Sequence, residues 1–376
     1  MEHPYTKACR LYTAKLSGDN ISYSDIYKQV FDVEISNEEA RKRLRFVRDA
    51  MASGNDCVED SFEKEVLFKD EFTALKQERR ELARLRRLED IVKETVKELS
   101  PSPLYSIPND ISVADILSKE ERANHAILQL SDIHYGLIID NAWNKYDTDV
   151  CRNRMSDLAR KVAKRCVDWN VKNLTVVIQG DLISGNIHNI IRLQNQVNVI
   201  DQIKRVSEII ISFLDFLSEF MHIDVYFVDG NHERVTPNKD DNLPDENLLE
   251  LIRWFVDYWF ADFGGIDIHN NDFGSRLATF EVGNKKIAAV HGDYDKFQNL
   301  YNNVMTMTKT HYDIILTAHN HHTHFQDIQN CFVVSNGCVC GPDEYSVSLR
   351  LFAKPSQNLI ILEDNGLLNV APIVLD

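Results

Sequence analysis

The sequence predicts an α/β protein preceded by a helical N-terminal part. Three observations carry this. Short apolar runs of β type at residues 126–130, 174–178, 225–228, 286–290 and 314–317 each lead into a cluster of Asp, Asn or His. Between some of them lie stretches with the three-to-four-residue apolar spacing of amphipathic helices. Residues 1–100 carry helix-start signals and helical spacing. Short buried strands that end in polar residues place those residues at one rim of a sheet, where open α/β sheets form binding sites.

From the N-terminus, Ser22-Tyr23-Ser24-Asp25 opens a short helical pattern through Phe31. Ser36-Asn37-Glu38-Glu39 is a capping-box start for a second helix running to about Ala52. The interval 32–35 has the length of a helix-turn-helix turn, in which a second helix enters the major groove. Near its beginning the second helix carries Arg41, Lys42, Arg43, Arg45 and Arg48. Two readings stand: these cations contact nucleic-acid phosphates, or Leu44, Val47 and Met51 pack on the first helix while the cations form a solvated face. Residues 1–58 are therefore expected to form a helix-turn-helix-like region.

Residues 59–100 are expected to form a long amphipathic arm. Between Asp60 and Leu99 there is neither Pro nor Gly, and apolar residues such as Phe62, Val66, Leu82, Leu85, Val92 and Val96 recur at helical spacing. Such a helix stabilises itself chiefly by burying one face, on the body of the protein or in a homodimer. The arginines at 79, 80, 84, 86 and 87 leave a further nucleic-acid surface open. Ser100-Pro101-Ser102-Pro103 ends the helical pattern. Residues 101–125 read as a Pro-rich linker, and 126–376 as the catalytic domain.

Within that domain the motifs come in order: Ser131-Asp132-Ile133-His134, Gly180-Asp181, Gly230-Asn231-His232-Glu233, His291-Gly292-Asp293 and Ala318-His319-Asn320-His321. Each alone is weak; the ordered set, every member following an apolar run, is strong. Asp132, His134, Asp181, Asn231, His291, His319 and His321 offer too many donors for one ion with an open position, and enough for two ions that grip one phosphate. Oxygen and imidazole donors without a thiolate suit Mn²⁺ first, with Fe or Zn²⁺ as alternatives. After Asp181, residues 187–221 read as a polar start and then an amphipathic helix, and Asn186, His188, Asn189, Arg192 and Gln196 would begin near the metals. His188 and Arg192 are the candidate substrate contacts. Residues 248–263 hold Trp254, Phe255, Tyr258, Trp259 and Phe260, for which core packing outweighs base stacking.

These motifs resemble the calcineurin-like metallophosphoesterases over about residues 127–325. The resemblance implies two mixed β-sheets packed face to face with helices outside, a four-layer αββα sandwich. It implies that Asp132, His134 and His321 hold one metal, that Asn231, His291 and His319 hold the other, and that Asp181 bridges them. His232 matches the histidine that stabilises the transferred phosphate or protonates the leaving oxygen. Protein phosphatases of this superfamily carry an Asp and an Arg where this chain has Ser184 and Gly185, and the DNA-repair nuclease branch often has His at the place of Ser184. Neither pattern is reproduced. The overall arrangement resembles phage and prophage metallophosphoesterases, distantly similar to DNA-repair exonucleases.

Composition bounds the rest. With 376 residues, 44% hydrophobic and 27% charged, the chain is an ordinary globular one with room for more than one domain. Its start lacks a basic-then-apolar leader, and no apolar run approaches a membrane span, so no membrane partner and a cytoplasmic location are expected. Seven cysteines with one close pair, Cys338 and Cys340, suggest reduced thiols rather than a disulfide framework. A net charge of −16 excludes nucleic-acid binding over the whole surface and confines it to local basic patches. The leading expectation is a two-metal phosphodiesterase acting on nucleic acid. The alternatives are a phosphatase or phosphodiesterase for nucleotides or cyclic nucleotides, and a nucleic-acid-binding regulator with a vestigial site.

Overall fold

The computed structural model describes residues 4–32, 34–45, 47–48, 109–118, 122–187, 189–243, 246–348, 350–363 and 368–375. The chain divides into two compact units, Met1–Arg87 and Leu88–Asp376. The expected arm at 59–100 and the Pro-rich start of the linker lie outside the described residues.

The first unit contains α1 (Pro4–Leu16), α2 (Tyr23–Phe31) and α3 (Asn37–Arg43). Ser22 starts α2 with a full capping box: its Oγ accepts from Asp25 N–H and Asp25 Oδ2 accepts from Ser22 N–H, each at 3.1 Å. Ser36 starts α3 with half of one, accepting from Glu39 N–H at 3.3 Å. A turn at Leu44 interrupts the expected helix after Arg43, residues 45, 47 and 48 are helical again, and its expected end at about Ala52 lies outside the described residues. Ala8 and Tyr12 of α1, which the sequence reading did not anticipate, close a small core with Ile26, Leu44 and Val47. Arg41, Lys42, Arg43, Arg45 and Arg48 are exposed, as both readings of this helix require. Lys42 and Arg43 pair with Glu38 and Glu39 at 3.2 and 2.9 Å.

The second unit runs α4 (Val113–Leu117), β1 (Asn124–Leu130), β2 (Ile139–Asp140), β3 (Lys145–Tyr146), α5 (Thr148–Asp168), β4 (Val171–Ile178), α6 (Asn189–Gln194), α7 (Val199–Ser218) and β5 (His222–Phe227). It continues α8 (Leu249–Phe260), β6 (Ile266–Ile268), β7 (Ala278–Val282), β8 (Lys285–Ala289), α9 (Phe297–Thr308), β9 (Ile314–Thr317), β10 (His324–Ile328), β11 (Cys331–Ser335), α10 (Glu344–Ser348), β12 (Ser356–Leu362) and β13 (Leu368–Val374). One sheet has the order β13-β12-β1-β4-β5-β6, the other β10-β11-β9-β8-β7. β1, β4, β5 and β6 are parallel neighbours, as are β8, β9 and β11.

Ile127, Val177 and Ile360 of the first sheet meet Ile287, Leu316 and Val334 of the second in a buried apolar layer. The outer face of the first sheet is covered by α5, α7 and α8, with Met155, Phe213 and Phe255 among the buried side chains. The outer face of the second is covered by α9 through Leu300, Tyr301 and Val304. This is the four-layer αββα sandwich. Phe255 and Phe260 of the aromatic helix are core residues, while Tyr258 is exposed. No described helix is long and apolar enough to cross a membrane.

Candidate metal centre

Five parallel strands deliver the expected donors to one rim. Asp132 and His134 follow β1, Asp181 follows β4, Asn231 and His232 follow β5, His291 follows β8, and His319 and His321 follow β9. Asp132, His134, Asp181, His319 and His321 all have φ between 49° and 66°. This left-handed backbone costs a side-chain-bearing residue about 1–3 kcal/mol and persists only where surrounding structure enforces it. Gly180 shows the enforcement: at φ 75° its backbone is packed so tightly on Gly230 that a Cβ would stand 2.2 Å from the Gly230 nitrogen.

The side chains converge in two groups that share one carboxylate. His134 Nε2 and His321 Nε2 are 3.2 Å apart, and His321 Nε2 is 3.3 Å from Asp132 Oδ1. Ligands around a tetrahedral ion with ~2.0–2.1 Å bonds sit about 3.4 Å from one another, so these spacings fit one cation. Asp132 Oδ1 is fully buried and accepts no hydrogen bond. In the second group His291 Nε2 is 3.1 Å from Asn231 Oδ1 and 3.3 Å from Asp181 Oδ2, with the ring of His319 5.1 Å from that of His291. Asp181 Oδ2 also stands 3.9 Å from His134 Nε2, so one oxygen faces both groups.

Burial raises the Asp181 carboxyl, but the imidazoles of His291, His232 and His134 outweigh it and hold it well below the usual range. Burial lowers His291 while the Asp181 carboxylate outweighs it, and the net is a rise to about 10. Donors crowded this way, with a buried oxygen left over, suit divalent cations.

His232 is aimed by the main chain. Its Nδ1 donates to the Ser184 carbonyl at 2.8 Å, which fixes the proton on Nδ1 and leaves Nε2 for the cavity. The orienting Asp or His that related branches place at this position is thus replaced by a peptide oxygen. A ligand atom of His232 also lies within 4.8 Å of His134 and Asp181, so distance alone would admit it as a ligand.

Glu233, which motif reading left without a role, is wholly buried and accepts from the N–H groups of Asp181, Leu182 and Ile183. It clamps the loop that presents Asp181. Burial and the Asp181 charge push it up to about 8.

Beneath the rim lies a buried amide layer that periodicity does not reveal. Gln129 donates to Gln179 Oε1 at 2.9 Å and to the Thr317 carbonyl at 3.1 Å, joining the two sheets. Asn336 donates to Ser131 Oγ and to Gln357 Oε1, each at 2.9 Å, and Ser131 in turn donates to Asp132 Oδ2 at 2.6 Å. The outermost of these bonds orients a metal ligand. Polar residues inside apolar strands are the signal that could have located this layer.

Sequence spacing placed no thiol among the donors. β11 runs parallel to β9 and ends at the same rim, which brings Cys338 and Cys340 beside the first group. A cavity of 820 Å³ opens over the centre, walled by Leu137, Ile138, Ile187 and Leu351 as well as by the histidines. Arg192 is exposed on α6 and is not among the residues lining this cavity, and His188 lies outside the described residues.

A two-sheet sandwich that gathers carboxylate, amide and imidazole donors at one strand rim is a metallohydrolase architecture. The chain belongs to the calcineurin-like phosphoesterase family, whose model matches residues 125–356, and members of this family are hydrolases of phosphoesters. It is similar to the SPbeta prophage-derived uncharacterized protein YonJ of Bacillus subtilis (strain 168), 26% identical over 257 residues. The alignment covers 66% of this chain and 63% of that protein's length, which agrees with the expected prophage link. Among solved structures it resembles an archaeal phosphodiesterase (14% identity, 66% of this chain and 99% of that one, TM-score 0.33). It also resembles Zn²⁺-complexed Vps29 from Entamoeba histolytica (13% identity, 67% and 99%, TM-score 0.31). At such TM-scores these likenesses carry nothing further.

Proposed function

We propose that the chain is a two-metal phosphodiesterase acting on nucleic acid. The observation that carries the metal pair is the placing of Asp181 Oδ2 between the His291 and His134 nitrogens, at 3.3 and 3.9 Å. Asp132, His134 and His321 would hold one cation, Asn231, His291 and His319 the other, and Asp181 both. Mn²⁺ is the first choice for the pair. When bound, the cations would neutralise phosphoryl oxygens and activate water. With Nδ1–H held by the Ser184 carbonyl, a second proton carried on Nε2 would let His232 donate to a phosphoryl oxygen or protonate the leaving oxygen. Glu233 keeps the Asp181 loop in register while charge develops.

Two features support a diester in nucleic acid. The phosphate-binding Arg of protein phosphatases has no counterpart at Gly185, and the exposed cations of residues 41–48 form a local basic face on an acidic chain. The cavity volume also admits a single nucleotide, so the competing substrate class is a small nucleotide ester.

The test is hydrolysis with Mn²⁺ on bis-p-nitrophenyl phosphate, p-nitrophenyl phosphate, cyclic nucleotides, and single- and double-stranded DNA. The expected order places the diester above the monoester and includes DNA. Replacing Arg41, Arg45 and Arg48 by Glu should weaken DNA binding and cleavage and spare bis-p-nitrophenyl phosphate. DNA cleavage unchanged by that replacement would transfer the proposal to small nucleotides.

A further inference from the structure

We infer that Cys340 is a thiolate ligand of the cation held by Asp132, His134 and His321, making that half of the centre a soft site unlike its partner. This rests on the metal-pair reading above. The Cys340 thiol is wholly buried, and its Sγ lies within 4.8 Å of ligand nitrogens of both His134 and His321. With Asp181 shared, Cys340 would be a fifth ligand, and around a five-coordinate Zn²⁺ with bonds of ~2.3 and ~2.05 Å neighbouring sulfur and nitrogen ligands stand about 3.1–3.6 Å apart. Asp132 Oδ1, buried and accepting no hydrogen bond, stands 3.3 and 3.9 Å from the Nε2 atoms of His321 and His134.

The loop carrying this sulfur is strapped to the centre. Val339 N–H donates to the carbonyl of Asp132 itself at 3.0 Å. The buried Arg154 guanidinium donates from Nη1 to the carbonyls of Val339 and Cys340, at 2.9 and 2.8 Å. Asn144 donates to the Cys340 carbonyl at 2.8 Å and accepts from Arg154 Nη2 at 3.0 Å. A buried cation committed to two successive carbonyls fixes the backbone from which the Cys340 sulfur is presented.

On binding, the S–H bond breaks, its proton leaves to solvent, and the sulfur–metal bond forms. A thiolate beside two imidazoles favours Zn²⁺ or Fe²⁺ over Mn²⁺, whereas the half built from Asn231, His291 and His319 has no sulfur. The centre is then chemically asymmetric, and Mn²⁺ remains first choice for the second half only.

The experiment is titration of the full-length chain, stripped of metal, with Co²⁺, reading bound equivalents and the near-ultraviolet thiolate-to-cobalt charge-transfer band. Expected are two bound Co²⁺ per chain and a band that Cys340→Ser abolishes and Cys338→Ser retains. The same Cys340→Ser change should lower the Zn²⁺-over-Mn²⁺ preference of one site by at least about tenfold. Two bound Co²⁺ without the band in the unaltered chain overturn the assignment while leaving the metal pair standing, whether or not the variants fold. Loss of the band in Cys338→Ser alone also overturns it. Failure to bind Co²⁺ at all removes the metal-pair reading and this inference together.

Discussion

Among the described residues, two clusters in which histidines and aspartates approach one another differ in what is left unsatisfied. Along the edge formed by β5 and β6, His222 pairs with Asp267 at 3.1 Å and His269 with Asp224 at 2.7 Å. Each imidazole there has its own carboxylate, and all four side chains are at least a quarter exposed. At the carboxyl rim, two imidazole nitrogens confront each other at 3.2 Å, a buried carboxylate oxygen has no donor, and the backbone at five ligands is left-handed. Composition does not separate the two clusters. Unfilled coordinating capacity held in place at a cost does.

The largest break in that contrast should come from Asp181→Asn, because one side chain serves both groups. Elemental analysis after Mn²⁺ saturation should fall from two ions per chain to one or none, with hydrolysis lost. At most one ion in the unaltered protein would sink the metal pair.

Next comes His232→Ala, expected to lower turnover by roughly 10²–10⁴ with metal content unchanged. The deficit should shrink for substrates with a good leaving group. Metal lost in parallel with activity would make His232 a ligand.

A smaller effect concerns the metal-free protein. Glu233 stays protonated in the fold up to about pH 8, above its ordinary 4.5. Between those values the unfolded chain binds fewer protons than the folded one, so stability falls as pH rises through the window. His291, raised from 6.5 to about 10, acts in the same direction at higher pH. The lowered imidazoles of His134 and His319 act in the opposite direction up to about pH 6.5, so the Glu233 contribution is read by difference. Between pH 5 and pH 8 the chelator-treated protein should lose more melting temperature, or gain less, than its Glu233→Gln variant. Equal pH slopes in the two proteins contradict the buried, protonated Glu233.

The smallest effect is expected at the other cluster. Replacing His222 and His269 by Ala should leave metal content and hydrolysis untouched and shift stability by no more than about 1 kcal/mol per exposed pair. Measurable loss of bound Zn²⁺ would erase the distinction drawn between the clusters.

Much of this centre was legible because its donors follow parallel strands. The apolar runs at 126–130, 174–178, 225–228, 286–290 and 314–317 fall on β1, β4, β5, β8 and β9 within a few residues at each end. The amphipathic pattern through Ile209 and Phe216 became α7, and the aromatic stretch became α8. Less legible was whatever the fold alone assembles. α5, with Met155, Leu158 and Val162 buried, was overlooked although Asp147 caps it. β12 is remote in sequence and antiparallel, yet it pairs directly with β1, and nothing in its own pattern names that neighbour. Glu233 and the Gln129–Gln179 contact act through backbone groups and amides that no spacing rule identifies. Cys340 lies well past the last motif and reaches the rim only because β11 joins β9.

The hold of the Ser184 carbonyl on His232 has a hereditary consequence. A side-chain partner can be erased by one codon change, whereas a peptide oxygen is present whatever residue 184 becomes. Its Oγ has no hydrogen-bond partner, so this buried position is open to exchange among small residues. The vulnerable codon is the next one. Gly185 sits at φ 68°, where any Cβ would lie 2.0 Å from the His232 carbonyl oxygen. Variation among descendants of this gene should therefore spare the glycine and wander at the serine, the reverse of what a search for an orienting side chain would expect.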